Sequence, residues 1–263
     1  MSNRIVIVDG GFVLHRSVLA FKNTEESSPF LRPTFYFLRM IIGYLKRLKI
    51  DLDDQIIIAL DGRNSWRKDY DPNYKANRKI NREKQADAEW WNERFAEFDI
   101  AFEEWNKLLN WNFLKLERIE SDDFASVACR LFKDKEIILV TQDGDWKMLS
   151  TFPNVKIMNP TIKSYKSKAK NATLFQSIEN GYAILEEKIN KGDVSDNIKG
   201  KPQNEIEYEN RKKIVDLIHE LPSHIETKIR QKLIELLPKN LYINKIKSPA
   251  IRKELEKLYN VED

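Results

Sequence analysis

Arg4-Ile5-Val6-Ile7-Val8-Asp9-Gly10 places four β-branched aliphatic residues in a row and then stops on an aspartate and a glycine. The run shows no polar alternation, so it reads as a strand buried on both faces, the kind found in parallel sheets covered by helices. The pattern recurs. Ile56-Ile57-Ile58-Ala59-Leu60 runs into Asp61-Gly62, and the strand-like stretch 136–142 runs into Asp143. Between these runs lie a helix from about Gly11 to Phe21 and apolar residues at helical spacing from Thr34 to Lys49. A weaker strand is expected at 113–117. Ser121 is expected to cap a helix through Phe132, with Asp122 and Asp123 in its first turn, and Val155 to Met158 adds a short strand. Strands alternating with helices predict an α/β fold, a central and mostly parallel sheet flanked by helices. Ligands of such sheets sit beyond the carboxyl ends of the strands.

Nine carboxylates fall at positions that could converge on one metal site, three of the groups following such apolar runs: Asp9; Asp61; Glu120, Asp122 and Asp123 in Glu-Ser-Asp-Asp; Asp143 and Asp145 in Thr-Gln-Asp-Gly-Asp-Trp; Asp193 and Asp196 in Gly-Asp-Val-Ser-Asp-Asn. Acids gathered at one edge repel each other and destabilise the fold unless cations lie among them. All-oxygen donor sets suit Mg²⁺ or Mn²⁺. The histidines His15, His219 and His224 and the single Cys129 cannot build a zinc site of the usual kind. Asp193 and Asp196 are three apart, so a helical turn would put both on one face. Two bound metals can activate water and stabilise a leaving oxygen in phosphodiester cleavage.

The 263 residues carry 45 basic and 41 acidic side chains, a net charge of +4. With the nine carboxylates set aside, +4 becomes +13, a mainly basic surface around an acidic cleft that suits a polyanionic substrate. No apolar run approaches the roughly 20 residues that span a bilayer. The N-terminus opens as a strand rather than a leader, and Cys129 reads as a buried helix residue in a reducing compartment. Together these imply a cytoplasmic protein with no membrane partner.

Two stretches depart from plain alternation. Arg63 to Lys84 holds Arg63, Arg67, Lys68, Lys75, Arg78, Lys79, Arg82 and Lys84 against three acids, with Trp66, Tyr70 and Tyr74 interleaved. It reads as a nucleic-acid contact or as a solvated basic loop. The region after about Gly200 reads as short helices broken at Pro202, Pro222, Pro238 and Pro249. Trp91, Phe95, Phe98, Phe102, Trp105 and Leu109 recur at helical spacing, which suits core packing or, alternatively, base stacking. A smaller basic run (Lys156, Lys163, Lys166, Lys168, Lys170) is either a substrate contact or a plain surface loop.

From Ile5 to about Gly200 the chain resembles the 5′-nucleases, the PIN-like family of flap endonucleases and 5′–3′ exonucleases, and its length is most like the compact phage members. The motifs that carry the likeness are Val8-Asp9-Gly10 with Arg16; Ala59-Leu60-Asp61-Gly62; Tyr74-Lys75-Ala76-Asn77-Arg78; Glu120-Ser121-Asp122-Asp123; Thr141-Gln142-Asp143-Gly144-Asp145-Trp146; and Gly192-Asp193-Val194-Ser195-Asp196-Asn197-Ile198-Lys199-Gly200. The resemblance implies a nuclease core over 1–200 with a basic arch or gateway at about 62–85, and a helical C-terminal region over 201–263. It implies two ions, Mg²⁺ or Mn²⁺. Glu120, Asp122, Asp123, Asp143 and Asp9 would form or back the first site, and Asp145, Asp193 and Asp196 the second, with Asp61 acting through water. Lys75 and Arg78 would contact the scissile phosphate and act with Asp143 and Asp145 in catalysis. Arg16, Arg63, Trp66, Arg67, Tyr74, Lys79 and Arg82 would complete the nucleic-acid surface, with Tyr74 stacking on a base.

One departure from the family pattern is plain. The family places a glycine-rich hairpin after Gly-Asp-x-x-Asp-Asn, and that hairpin grips duplex DNA and can hold a monovalent ion. Here Gly200 is followed by Lys201-Pro202-Gln203-Asn204, then Glu205, Glu207 and Glu209. Arg211-Lys212-Lys213 is expected to substitute in part. The implied activity is 5′–3′ exonuclease and 5′-flap endonuclease on DNA with a flap, nick or free 5′ end, or on an RNA–DNA hybrid, aided by a single-strand-binding protein or clamp, with a phage protein acting in its host as the setting. A PIN-type ribonuclease and a non-catalytic branched-DNA-binding module are the alternatives.

Overall fold

The computed structural model describes residues 4–23, 32–78, 88–161, 174–176, 180–236 and 238–260. In chain order the first half supplies β1 (Arg4–Asp9), α1 (Gly10–Lys22), α2 (Pro33–Leu48), β2 (Gln55–Leu60), α3 (Ala88–Leu108), β3 (Trp111–Lys115) and α4 (Ser121–Leu131). The second supplies β4 (Glu136–Val140), β5 (Val155–Met158), α5 (Gly181–Lys191), β6 (Gly192–Asp193), β7 (Ile198–Lys199), α6 (Glu205–Val215), α7 (Ser223–Ile234) and α8 (Pro249–Tyr259).

The five longer strands form one parallel sheet in the order β3-β2-β1-β4-β5. The Ile5–Val8 run lies in its middle strand. Side-chain alternation divides the aliphatic runs between two faces. Val6, Val8, Ile56, Ile58, Ile138 and Val140 pack under α1, α2, α3 and α8. Ile5, Ile7, Ile57, Ala59, Ile137 and Leu139 pack under α4 and α7. Both sets are apolar, so a one-residue slip would exchange the faces without exposing either. The register sets Val8 opposite Ile58 on one side and Val140 on the other.

The aromatic stripe of α3 settles as core. Phe98 and Phe102 each lie 5.4 Å from the Phe37 ring of α2, and Trp105 stacks on it at 5.8 Å. Two expectations are corrected. The third strand begins at Trp111, two residues early, because the C-terminal helix closes over that end: Trp111 Nε1 donates to Tyr259 Oη (2.7 Å), which donates to Asn110 Oδ1 (2.9 Å). The cap of α4 is Glu120 rather than Ser121, and Asp123 Oδ2 accepts from the Glu120 amide at 2.9 Å. Two of the prolines expected as breaks start helices, with Pro222 at the cap of α7 and Pro249 in the first turn of α8.

At the end of β2 the chain turns where no side chain fits. A Cβ on Gly62 would lie 1.8 Å from the Leu116 carbonyl oxygen, whereas one on Gly144 meets nothing within 4 Å. Gly62→Ala is therefore expected to cost about 3 kcal/mol or more, and Gly144→Ala to stay within about 0.5 kcal/mol of the wild type, in urea unfolding.

Candidate metal-binding cleft

The strand ends meet in a cleft of about 1700 Å³ lined by Asp9, Asp61, Glu120, Asp122 and Asp143 among others. Each acid is placed by the element that ends or begins there. Asp9 closes β1 and caps α1, its Oδ1 accepting from the Phe12 amide at 3.0 Å. Its Oδ2 accepts from Thr141 Oγ1 at 3.0 Å, and that hydroxyl accepts from the Asp143 amide at 3.0 Å. Asp143 Oδ1 in turn accepts from the Asp145 amide at 2.9 Å. Asp61 Oδ1 accepts from the Ser121 amide at 2.8 Å, which ties the end of β2 to the start of α4. One chain of hydrogen bonds thus runs from the first strand to the turn after the fourth.

A second group forms beside it. Oxygens of Asp145, Asp193 and Asp196 lie within 4.8 Å of one another. The expectation that a helical turn unites Asp193 and Asp196 is corrected. Asp193 ends β6, β6 pairs antiparallel with β7, and the four residues between them turn back on themselves. Asp193 Oδ1 accepts from both the amide (2.7 Å) and hydroxyl (2.6 Å) of Ser195. The tip of this loop is stitched to the segment before it in space: Lys75 N donates to Asp196 O (3.0 Å), Asn77 Nδ2 to Val194 O (2.8 Å) and Asn197 Nδ2 to Asn73 O (3.0 Å). Three carboxylates converging this closely, all hard oxygen donors, fit a divalent cation. The other group fits as well. Asp122 Oδ1 is buried, accepts no hydrogen bond, and lies 3.4 Å from Arg67 Nη2.

The protein's own cations already face these acids. Arg67, 1% exposed, sits under the cluster with Nη1 3.0 Å from Glu120 Oε2 and Nη2 2.9 Å from Asp123 Oδ1. Its Nε donates to Ile214 O of α6 at 2.7 Å. Tyr74 Oη donates to Glu120 Oε2 at 2.9 Å, and Lys75 Nζ to Glu120 Oε1 at 2.9 Å. Arg78 Nη2 pairs with Asp196 Oδ1 at 2.9 Å. Lys188, from α5, bridges Asp145 and Asp193.

These neighbours divide the acids. Burial alone would raise Glu120, but the Lys75 ammonium and the Arg67 guanidinium hold it down to about 2. The Lys188 ammonium and the Ser195 donors likewise hold Asp193, against its partial burial, down to about 2. Asp9 goes the other way. Burial, with Asp61 and Asp143 nearby, pushes it up to about 7. Burial and Asp143 push Asp145 up to about 6 despite Lys188. Asp122 is raised by burial among Asp123 and Glu120.

The structure sorts the expected site residues by where they point. Asp9, Asp61, Glu120, Asp122 and Asp143 line the cleft, and so do Arg16, Arg63, Lys75 and Arg78. Asp123 does not. It is fully buried, receives the Trp66 indole N–H at 3.0 Å, and serves the cap of α4, so it has no face to offer a metal. Trp66, Arg67 and Tyr74 are corrected as nucleic-acid contacts, since each is 1% exposed and turned inward onto the acids. Arg211 is also buried, its guanidinium on backbone carbonyls, so it is not free to substitute for the missing hairpin as expected, whereas Lys212 is half-buried and Lys213 exposed. Lys79, Arg82 and Lys84, and Lys163 to Lys170, lie outside the described residues. Two residues of the site were not expected from the sequence. Thr141 sits inside the Thr-Gln-Asp-Gly-Asp-Trp motif and could have been found there. Lys188 looked like any charge on a helix face.

Residues 4–179 match the family model described as the 5′-3′ exonuclease, N-terminal resolvase-like domain. The ribonuclease H of Enterobacteria phage T4 is 28% identical over 151 residues, which cover 55% of this chain and 45% of that protein. The chain thus aligns with under half the length of this relative. A phage T5 protein co-crystallised with metal ions shares the fold at a TM-score of 0.53 and 20% identity, over 99% of this chain and 100% of the other. A bacteriophage T5 flap endonuclease, in a pseudo-enzyme–product complex with DNA and metal ions, aligns at 0.55 and 19% over 97% of both chains.

The charge balance has two measurable consequences. Arg67→Met removes the ion-pair partner of Asp122 and Asp123, leaves Glu120 paired with Lys75, and is expected to cost about 3–5 kcal/mol in urea unfolding. Asp9 has its folded value, about 7, above its ordinary 3.8, so ionisation opposes folding. The penalty is absent below pH 4, grows as pH rises, and is complete above pH 7. Without divalent cations, Asp9→Asn is therefore expected to stabilise the protein at pH 8, by up to about 3–4 kcal/mol, and hardly at all at pH 4.

Proposed function

The chain belongs to the 5′-3′ exonuclease family through its N-terminal resolvase-like domain, and from that premise we propose that it is a divalent-metal-dependent 5′–3′ exonuclease and 5′-flap endonuclease acting on DNA. The observation that carries this reading is the pooling of acids from five separate chain segments at and beside one sheet edge, next to cations that face the same cleft. We read 1–200 as the nuclease core and 201–263 as a helical region that supports it.

Asp145, Asp193 and Asp196 would hold one ion, and Asp9, Glu120, Asp122 and Asp143 the other, with Asp61 acting through water. Mg²⁺ or Mn²⁺ suits both donor sets. Bound there, such ions supply Lewis acidity, a more acidic water and charge for the leaving oxygen. The chain's own groups do the rest. Lys75 and Arg78 reach from the segment beside the acid loop to hold and orient the scissile phosphate. Arg16, on the cleft side of α1, and Arg63 carry the adjoining phosphates. Thr141 fixes the Asp9 carboxylate, and Arg67 and Tyr74 fix Glu120, so the donors need little rearrangement when a cation arrives.

The T5 relatives, solved with metal ions and in one case with DNA, support this substrate and cofactor class. The name of the T4 relative supports an RNA–DNA hybrid as a second substrate. No described helix is long and apolar enough to cross a membrane. We place the protein in the host-cell cytoplasm as a phage product, aided by a single-strand-binding protein or clamp, because the family's glycine-rich duplex grip is missing from the sequence.

One assay tests the proposal: flapped, nicked and single-stranded DNA labelled at either end, with and without Mg²⁺. The wild type is expected to release short 5′ products only with Mg²⁺. Asp145→Ala and Asp193→Ala are each expected to lose at least about 100-fold, about 2.7 kcal/mol of barrier, with circular dichroism unchanged. Full activity in Asp145→Ala would refute the reading. Preference for single-stranded RNA would favour a PIN-type ribonuclease, and binding without cleavage in both Mg²⁺ and Mn²⁺ a non-catalytic module.

A further inference from the structure

The loop that carries Asp193 and Asp196 is short, and its two strands are two residues each. A hairpin of that size is not stable on its own. The approach is close: Gly192 has φ 81°, and a Cβ there would lie 2.6 Å from the Ile198 carbonyl oxygen. The base of the loop is closed by a guanidinium. Arg211, 5% exposed on α6, donates from Nη1 to Ile189 O (3.1 Å) and Gly200 O, and from Nη2 to Lys199 O (3.2 Å). Ile189 precedes the loop, Lys199 is its last residue and Gly200 follows it. Three carbonyl oxygens aimed at one point form a pocket that needs positive charge. Glu207, one turn back on α6, accepts from Nη2 at 2.8 Å and balances that charge.

We propose that Arg211 is a positioning residue, a built-in cation that joins the two ends of the acid-bearing loop and thereby sets Asp193 and Asp196 against Asp145. It touches neither the acids nor the cleft. It acts through the backbone, where α5, β7 and α6 meet. The guanidinium suits this task better than an ammonium, because its planar fork can serve oxygens in different directions at once. The inference rests on reading the three aspartates as metal ligands, so its test measures metal binding and loop order rather than cleavage.

The experiment compares the wild type, Arg211→Met, Arg211→Lys and Asp145→Ala in Mn²⁺ titrations followed by electron paramagnetic resonance, with hydrogen exchange across 192–199. Arg211→Met is expected to bind the more weakly held Mn²⁺ at least tenfold less tightly and to lose amide protection in the loop. Millimolar guanidinium should restore both, equal urea neither, and Arg211→Lys should fall between. Wild-type affinity and protection in Arg211→Met would overturn the proposal. If Arg211→Met folds only with guanidinium present, the internal-cation role stands. If neither guanidinium nor the lysine variant restores folding, the residue is a general core element and the proposal fails. Should the wild type and Asp145→Ala bind Mn²⁺ alike, the metal reading fails instead. Hydrogen exchange then still decides whether Arg211 orders the loop.

Discussion

Repulsion among carboxylates is the constraint around which this molecule is arranged. A parallel sheet with strands of similar length delivers its carboxyl strand ends and the turns just beyond them to one edge, and here those positions repeatedly hold an acid. Asp9, Asp61 and Asp143 arrive this way, and Glu120 and Asp122 arrive from the helix that starts at the same edge. The folded chain tolerates them by two means. Donors are built in, as with Thr141 on Asp9 and the Ser121 amide on Asp61. Cations are placed beneath and beside them, as with Arg67, Lys75 and Lys188. Where compensation falls short of burial, as at Asp9, Asp122 and Asp145, the acids hold their protons above the usual carboxylate range.

The segment 63–78 shows how this compensation is organised. Its side chains form two tiers. Trp66, Arg67 and Tyr74 turn inward and support Glu120 and Asp123 from below. Arg63, Lys75 and Arg78 reach the cleft itself. Arg67 also takes the Ile214 carbonyl, so the acid cluster is fastened to α6, whose Arg211 fastens the second acid loop. The C-terminal helices thus contribute to the site without lending it a ligand.

The central strands were legible because nothing interrupts Ile5 to Val8 or Ile56 to Leu60, and a doubly buried strand needs just such a run. Asp9 and Asp61 were legible because they come directly after those runs, and the other cleft acids because they stand in short acidic motifs. The third strand was misplaced because Asn110 and Asn112 interrupt the apolar run; the side-chain amide of Asn110 is satisfied by Tyr259, far along the chain, whose hydroxyl donates to it. The tiers of 63–78 were not legible for a deeper reason. Composition cannot distinguish an arginine that waits for a phosphate from one already bound to its own carboxylates, and an aromatic that stacks on a base has the same signature as one that donates to Glu120. Lys188 and Arg211 were hidden likewise, since a charge on a helix face declares its partner only when the chain is folded.

Lys75 and Arg78 have a double allegiance, each held by an acid of the cleft while also facing it. Any divalent ion that takes over Glu120 or Asp196 frees an ammonium or a guanidinium for an incoming polyanion. The two ligands therefore help each other by thermodynamic reciprocity, whichever arrives first. On the proposed function, apparent affinity for a nucleic acid would become a readout of metal concentration, and the cation would serve as a licence for docking as well as for chemistry.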